Sequence, residues 1–273
     1  MNNTRPTFNG GVLVMTTLSL DLNLTNNTWS GNQATTGGCI YIVSSNGNQT
    51  ILVDNETVVE NVATTGGGGF LSLSSSSNPS ISLHLSNFAH NSAKGNGGVV
   101  YMNGPSSFNL QVIRCQVEDS EATFGGAFFS NTTDVQDHSI DLSTTLFMRN
   151  KASKQGGILY SHATNGPQHI KIDSCILQDN EAAMNGGGFG LLAGSTLQEV
   201  NMTDNIITGG SAQQGGVLYA ELSGSQTQVA EHSVLLIGNN VSHTTASVSG
   251  GFVHVLIDSP ADPLSLNVSD NRF

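Results

Sequence analysis

A Gly-Gly pair recurs along this chain at nearly constant spacing, and this repeat constrains the fold more than any other feature of the sequence. The steps between successive pairs are 27, 29, 31, 28, 31, 30, 29 and 35 residues. Chance does not space nine pairs so evenly, and a period of about 20–50 residues is typical of repeat architectures. The second glycine of each pair is Gly11, Gly38, Gly67, Gly98, Gly126, Gly157, Gly187, Gly216 or Gly251.

The residues around each pair also repeat. An aromatic residue usually follows by three positions: Tyr41, Phe70, Tyr101, Phe129, Tyr160 and Tyr219, with His254 in the last copy. A turn-forming residue precedes the pair by five or six positions: Asn32, Asn61, Asn91, Ser120, Asn150, Asn180 and Gly210, with Asn240 ten before in the longer eighth copy. An alanine lies two residues after that turn, as at Ala34 and Ala63, and a large apolar residue lies three before it, from Trp29 to Ile237.

Upstream of the turn, apolar and polar residues alternate, as in Leu20, Leu22 and Leu24 or in Ile170 and Ile172. A period of two is typical of a half-buried strand. Each repeat then reads as strand, short turn, second strand, Gly-Gly turn, third strand and polar loop. Three strands in about 30 residues predict one coil of a right-handed, single-stranded parallel β-helix, an all-β solenoid of about nine coils.

The ends of the chain fall inside repeats, near Gly11 and near Asn271. Solenoids need polar capping repeats for solubility, and neither end has that character. We therefore expect residues 1–273 to form a single β-helix segment excised from a longer solenoid. Its unpaired strand edges predict end-to-end self-association.

The composition limits the classes of partner that the chain can bind. Only 10% of residues are charged, against about 25% in a typical domain, so Ser, Thr, Asn and Gln supply the polar surface, as is common in secreted proteins. The net charge of -12 argues against nucleic acid and against anionic membranes. No apolar run is long enough for a membrane span, and the N-terminus lacks the apolar core of a signal peptide.

With its motifs assembled, the chain resembles the polymorphic outer-membrane protein repeats of chlamydial autotransporters, which carry FxxN and GGA[ILV] motifs. FxxN occurs at 88–91 and at 147–150, and Gly-Gly followed by small or aliphatic residues occurs at 37–40, 97–100 and 156–159. The resemblance implies a surface-exposed passenger with an adhesive role and transfers no catalytic residue. Most copies replace the Phe by Val, Leu, Ile or Trp.

Three cysteines are present. Cys115 and Cys175 lie at equivalent positions two coils apart, about 10 Å, which exceeds the Cα separation of a disulfide. Cys39 lies at a different position, just after its Gly pair. We expect three buried free thiols that pack as small hydrophobic groups.

Charged residues flank the turn in three successive coils. Stacked, they give two ladders: Asp119–Arg149–Asp179 and Glu121–Lys151–Glu181. Such a cluster could hold Ca²⁺ with a Lys or Arg as base, as in polysaccharide lyases on β-helices. The alternating signs favour a salt-bridge ladder that fixes the register of the coils.

The other candidates are less specific. Eight histidines show no metal-ligand spacing, and no GxSxG, HExxH or P-loop occurs. The aromatic ladder could stack sugars if it faced outward, although buried stacking is the commoner use. N-glycosylation sequons, which matter only in a eukaryote, begin at Asn2, Asn23, Asn26, Asn48, Asn55, Asn131, Asn201, Asn240 and Asn267.

The sequence thus predicts a non-catalytic structural or adhesive module at the cell surface or outside the cell, with no catalytic, cofactor-binding or metal residues and no cofactor. Its expected partner is a cell-surface glycan or protein receptor, which would bind to long loops on one side of the solenoid. The alternatives are a polysaccharide lyase or hydrolase and a glycan-binding module. The candidate loops are Ser44–Gln49, Ser74–Ser80, Ser130–Ser139, His162–His169 and Leu222–His232.

Overall fold

The computed structural model describes residues 4–5, 9–45, 47, 49–76, 78–105, 107–133, 137–194, 197–222, 232–257 and 263–273. These residues form strands, turns and bends, and no helix. All strand pairs are parallel, and each strand pairs with its counterpart one coil before and one coil after. The chain is therefore a parallel β-solenoid, as the repeat predicts.

Four sheets run along the solenoid, and we name them A to D in the order in which each coil visits them. Sheet A contains the strands Thr4–Arg5, Gln33–Ala34, Val62–Ala63, Ser92–Ala93, Glu121–Phe124, Lys151–Gln155, Glu181–Ala182, Ser211–Gln214 and Thr245–Ser249. Sheet B contains Leu13–Thr17, Ile40–Ser44, Leu71–Ser75, Val100–Gly104, Phe128–Thr132, Leu159–Ala163, Phe189–Ala193, Leu218–Leu222 and Val253–Ile257.

Sheets C and D complete each coil. Sheet C contains Leu20–Thr25, Gln49–Asp54, Pro79–His84, Asn109–Ile113, His138–Ser143, Gln168–Asp173, Gln198–Thr203, His232–Ile237 and Leu264–Ser269. Sheet D contains Thr28–Ser30, Thr57–Val59, Asn87–Ala89, Gln116–Glu118, Leu146–Met148, Ile176–Gln178, Ile206–Thr208 and Asn240–Ser242. The described residues thus form eight complete coils and three strands of a ninth.

Each coil has four strands, so the prediction of three is wrong. The stretch between the alternating strand and the Gly pair divides into two short strands, in sheets D and A. They are separated by two residues, of which the first is in the left-handed region, such as Glu60 with φ 57° or Asp119 with φ 50°. A second left-handed residue, such as Asn55 with φ 52°, separates sheets C and D. These bends are too short to appear in a hydrophobic pattern.

Two predicted register positions are also wrong. In the run Gly66–Gly69, the pair that matches Gly38 and Gly98 ends at Gly69, because Ser72 pairs with Tyr41. Phe70 therefore points into the core and contacts Trp29 and Phe88 instead of joining the aromatic ladder.

The second error lies in the eighth repeat. Ile207 pairs with Val241, and Ser211 pairs with Thr245, so Asn240 and Ile237 do not lie at the D–A turn. The extra residues of this repeat fall at 223–231, between the strands of sheets B and C. Asn239 lies at the turn between sheets C and D, and an asparagine there resembles the one that the repeat predicts at the D–A turn.

The core is continuous along the axis. Inward residues of sheets B, C and D are buried, for example Ile42, Val53 and Val58. The residue after each Gly pair also points inward, as do Cys39, Phe70 and Ile158. Apolar burial of this kind is the main stabilising term of the fold.

Buried asparagines fix the turns between sheets D and A. Asn61 accepts hydrogen bonds at Oδ1 from the backbone N and the Nδ2 of Asn32, at 3.1 and 2.9 Å. Asn61 in turn donates from its backbone N and Nδ2 to Asn91 Oδ1, at 3.1 and 3.0 Å, and from Nδ2 to Trp29 O at 2.9 Å. The Asn ladder therefore satisfies backbone groups that no sheet pairs.

A second polar ladder lies at the turn between sheets C and D. Cys175 N donates to Asn205 Oδ1, Asn205 N to Asn239 Oδ1, and Asn239 N to Asn271 Oδ1, at 2.9, 3.1 and 2.9 Å. Buried Glu56 occupies the same position in the second coil, where its carboxylate accepts bonds from Asn27 and from Trp29 Nε1. Both turns are thus held from one coil to the next by side chains.

We predict that Gly157→Ala destabilises the chain by about 1–3 kcal/mol, the range for overpacking. A Cβ at Gly157 would lie 2.1 Å from the carbonyl oxygen of Gly187 and 2.7 Å from that of Glu181. Gly251→Ala is the matched control, because its Cβ would meet only Thr244 O at 3.6 Å. Urea unfolding of dilute protein checks this, and equal midpoints for the two variants would contradict it.

We also predict that Asn150→Ala costs on the order of 1–3 kcal/mol for the buried groups it leaves unpaired. Asn150 accepts from Ser120 N at 3.1 Å and donates to Val117 O at 2.8 Å and to Asn180 Oδ1 at 3.1 Å. The exposed Asn109 of sheet C provides the control variant Asn109→Ala. A loss no larger than that of the control would show that the ladder does not stabilise the turn.

Candidate functional surfaces

The charged ladder at the D–A turn forms only in part. Arg149 binds Asp119 through Nε–Oδ1 and Nη2–Oδ2 contacts of 2.8 and 2.6 Å, and Glu118 lies 3.3 Å from Nη2. The hydrogen bond from Arg149 lowers the pKa of Asp119. In the second ladder, Lys151 Nζ lies 3.6 Å from Glu181 Oε2.

Each cation of these ladders therefore pairs with one of its two neighbours. Asp119 and Arg149 both have left-handed backbone, so the turn itself turns their side chains outward. Solvent screens such exposed pairs, so they contribute little to the stability of the fold. This geometry matches the salt-bridge interpretation better than a carboxylate cage for Ca²⁺.

A second charged cluster, which the sequence analysis missed, lies on the outer face of sheet C. Lys171 Nζ lies 3.9 Å from Asp141 Oδ2 and 3.8 Å from Asp173 Oδ2. Next to them, His169 Nδ1 lies 3.0 Å from Glu199 Oε2. The hydrogen bond with His169, and then one from Asn201, lower the pKa of Glu199. We call this set of five charged or titratable side chains the sheet C patch.

The sheet C patch covers three adjacent coils. Asp141, Lys171 and Asn201 are register partners in neighbouring strands, as are His169 and Glu199. A shallow depression runs across it, lined also by Ser139. The alternation along each strand could have located the patch. Its outward residues are the direct sequence neighbours of the inward residues Ile140, Ile170 and Val200.

A buried polar cluster lies inside the solenoid at the start of sheet C. The ring of His138 is fully buried, with Nδ1 3.2 Å from the backbone N of Phe108 and Nε2 2.9 Å from Ser130 Oγ. Ser161 Oγ lies 3.2 Å from the same Nε2 and accepts from Gln168 Nε2 at 2.5 Å. Because Nδ1 accepts the Phe108 N–H, the neutral ring carries its proton on Nε2.

This cluster also escaped the sequence analysis, although the sequence carries a signal for it. His138 has the same phase as Ile140 and Leu142, and Gln168 has the same phase as Ile170 and Ile172, so both must point inward. A Ser–His contact also occurs in nucleophilic catalysis, but complete burial keeps a substrate away from this one.

The cysteines lie where the sequence predicts. All three are buried and free. Burial raises the pKa of Cys115 to about 11 and that of Cys175 to about 12, and it also raises the pKa of Cys39. Such thiols stay protonated and are poor nucleophiles.

The aromatic ladder lies on the outer side of sheet B. Phe129 stacks on Tyr101 and Tyr160, with ring centroids 5.2 and 5.5 Å apart, and Tyr219 stacks on His254 at 5.5 Å. Phe129 and Tyr219 are nevertheless buried, and Phe124, just before its Gly pair, packs against Tyr160. The stacked rings thus pack against one another, and Tyr41, Tyr101 and Tyr160 stay half-buried. The ladder is interrupted at Ser72 and at Gly190.

All five candidate loops connect sheet B to sheet C and so lie on one side of the solenoid. Parts of them, including 134–136 and 223–231, lie outside the described residues, as do the sequon asparagines Asn2 and Asn48. Asn23, Asn26, Asn55, Asn240 and Asn267 are exposed. Among the described residues, no group of three or more His, Cys, Asp or Glu side chains is placed to hold a metal ion.

The amino-acid sequence is similar to that of a bacterial autotransporter. The chain is similar to the Probable autotransporter YfaL of Escherichia coli (strain K12), with 25% identity over 260 residues. The match covers 91% of this chain but 20% of that protein, so the chain spans about a fifth of the relative's length. No family model and no solved structure matches the chain.

The fold and this likeness define the chain as a parallel β-solenoid similar to part of an autotransporter. This agrees with the autotransporter side of the resemblance drawn from the FxxN and Gly-Gly motifs. The chlamydial repeat in particular stays a prediction. In the described part of the chain, no helix has the length and hydrophobicity needed to cross a bilayer.

Burial lowers the pKa of His138 to about 4, from 6.5 for a free side chain. The folded protein therefore holds the neutral ring, while the unfolded chain takes up a proton near pH 6.5. The contribution of His138 to the free energy of unfolding is therefore complete above pH 6.5. It is lost as the pH falls from 6.5 to about 4, by up to about 3 kcal/mol.

We predict that His138→Gln removes this loss, because Gln168 and Gln198 occupy the same position in the next coils without titrating. Urea midpoints of both proteins between pH 4 and 7.5 check this. Equal pH dependence in the two proteins would assign the acid sensitivity to other groups.

Proposed function

We propose that this chain is a passenger-type module of a secreted or cell-surface protein, with a structural or adhesive role and no catalytic one. The observation that carries this proposal is the likeness to an autotransporter along nearly the whole solenoid. The resemblance to chlamydial surface repeats supports the adhesive role. The fold supports it as well, because a rod held by ladders along its length can display loops at a fixed spacing.

The surface of this chain that we assign to receptor binding combines the sheet C patch with the loops between sheets B and C. These loops lead directly into the sheet C strands, so both lie on the same side of the rod. The patch presents paired charges, and the adjacent Asn201 and Thr203 donate hydrogen bonds to its carboxylates. Such a surface suits the hydroxyl and charged groups of a cell-surface glycan or the polar surface of a protein receptor.

The experiment is adhesion of beads coated with the purified chain to bacterial and host cells, together with binding to a panel of glycans. The test variant is Asp141→Asn/Lys171→Gln/Glu199→Gln. The matched control is Glu121→Gln/Lys151→Gln/Glu181→Gln, which removes the same charges from the D–A turn.

We predict that the sheet C variant loses most adhesion with an unchanged melting temperature, while the control keeps it. Adhesion that is absent from the wild-type chain on every cell type would contradict the adhesive role. Equal losses in both variants would contradict the assignment to sheet C.

A polysaccharide lyase or hydrolase is the second candidate, and the sheet C patch is the observation that favours it. Asp141, Asp173 and Glu199 share one sheet face with Lys171 and His169, and side chains of these types can act as general acids or bases. A depolymerisation assay on acidic and neutral polysaccharides, with and without Ca²⁺, separates the two functions. Release of unsaturated or reducing ends that Lys171→Gln abolishes would replace the non-catalytic proposal.

A further inference from the structure

A groove runs along the turn between sheets C and D, from the second coil to the sixth, and it shares no residue with the sheet C patch. Its volume is about 660 Å³, within the range that is typical of ligand-binding clefts. Left-handed turn residues such as Leu85, Arg114 and Thr144 form one wall. The first residues of the sheet D strands, such as Gln116 and Ile176, form the other. Equivalent positions of successive coils therefore line the groove along the axis of the solenoid.

Arg114 is an exposed cation in this groove, without an ion-pair partner in the described part of the chain. Arg149 and Lys171, in contrast, each lie within 4 Å of a carboxylate. Among the described residues that line the groove, Glu56 alone carries a carboxylate, and this group is buried and accepts a hydrogen bond from Trp29 Nε1 at 2.8 Å. The guanidinium of Arg114 is thus free to bind an external anion, and its planar shape fits a carboxylate through two parallel hydrogen bonds.

The groove also collects exposed apolar side chains. Between the first and the last coil, the described residues expose four large apolar side chains: Leu85, Ile176, Met184 and Ile206. Leu85 and Ile176 line the groove, and they are 57% and 45% exposed. Ile206 pairs with Ile176 and so extends the sheet D wall by one coil. Apolar side chains that are exposed singly are ordinary, whereas contiguous ones mark a binding surface.

Uncharged polar side chains supply the rest of the lining. Asn55, Asn87 and Gln116 carry amide groups that can both donate and accept hydrogen bonds, and Thr144 and Ser174 carry hydroxyl groups. A ligand that matches this lining combines hydroxyl groups, apolar faces and an anionic group. A sugar chain whose rings carry carboxylates has all three.

Other classes of ligand fit the groove less well. The strands beside it are paired on both sides, as Asn87 is with Thr57 and Gln116, so an extended peptide finds no free strand edge to join. The net charge of -12 opposes the many phosphates of a nucleic acid. A sugar chain needs neither a strand edge nor a broad positive face.

We infer that the groove at the C–D turn binds an acidic oligosaccharide that lies along the axis of the solenoid. Arg114 binds a carboxylate of the sugar chain, and the amides and hydroxyls of the lining bind its hydroxyl groups. Leu85 and Ile176 pack against the apolar faces of the rings. This site goes beyond the proposed function, because it uses none of the residues that we assign to receptor binding.

The test is isothermal titration calorimetry of the chain with oligosaccharides of hyaluronan, polygalacturonate and alginate, which all carry uronic acids. Each is compared with its carboxyl-reduced form, which lacks the charge and keeps the hydroxyl groups. Arg114→Gln and Ile176→Thr alter the two walls of the groove. Lys94→Gln and Met184→Thr are the matched controls, because both side chains are exposed and follow sheet A strands. Thermal melting verifies that each variant folds.

We expect at least one of the three oligosaccharides to bind, and its carboxyl-reduced form to bind at least about tenfold more weakly, because a hydrogen-bonded charge pair is lost. Arg114→Gln should cause a similar loss and abolish the difference between the two forms. Ile176→Thr should weaken both forms equally, and the two controls should bind as the wild-type chain does.

Binding of none of the three oligosaccharides would overturn the inference, as would equal weakening by Arg114→Gln and Lys94→Gln. The sheet C variant of the adhesion experiment keeps every residue of the groove, so it should bind the oligosaccharide normally. Loss of binding in that variant would contradict the placement at the C–D turn. Failure of the adhesive role and failure of this site are therefore distinguishable.

Discussion

In-register parallel stacking is the constraint on which the rest of this structure depends. Each residue of a strand pairs with its counterpart one coil away, so equivalent positions of successive coils stack along the axis. Space at the A–B turn is then limited by the next carbonyl, which is why glycine recurs there. The largest insertion, at 223–231, falls between sheets B and C, where it does not disturb the stacked positions.

Polar groups follow the same rule. Buried asparagines at the D–A turn and mixed Asn, Ser, Thr, Cys and Glu side chains at the C–D turn satisfy the backbone between strands. The inward His138 and Gln168 extend this to the core. The charged side chains of the sheet C patch, with Lys171 between two aspartates, also link neighbouring coils and lie beside the loops between sheets B and C.

The sequence predicted the fold because the repeat is strong: Gly pairs, alternating strands and the Asn ladder all share one period. It missed the division of the middle strand, since one left-handed residue such as Glu60 leaves no hydrophobic signal. It misplaced Gly67 and Asn240 because four consecutive glycines, and two turns that both use asparagine, allow more than one register. The sheet C patch was missed because its residues look like ordinary outward polar positions until neighbouring strands are paired, although strand alternation places them on one face.

Side chains of equivalent turns lock neighbouring coils together. Amide hydrogen exchange of the turn residues Ser120 and Asn150 tests it most directly, because both N–H groups donate to the next asparagine, at 3.1 and 3.0 Å. The ladder predicts that these turn amides exchange as slowly as the amides of sheet C strands. Exchange at the rate of exposed loop amides would contradict the role of the turn side chains. It would mean that the apolar core alone fixes the register of the coils.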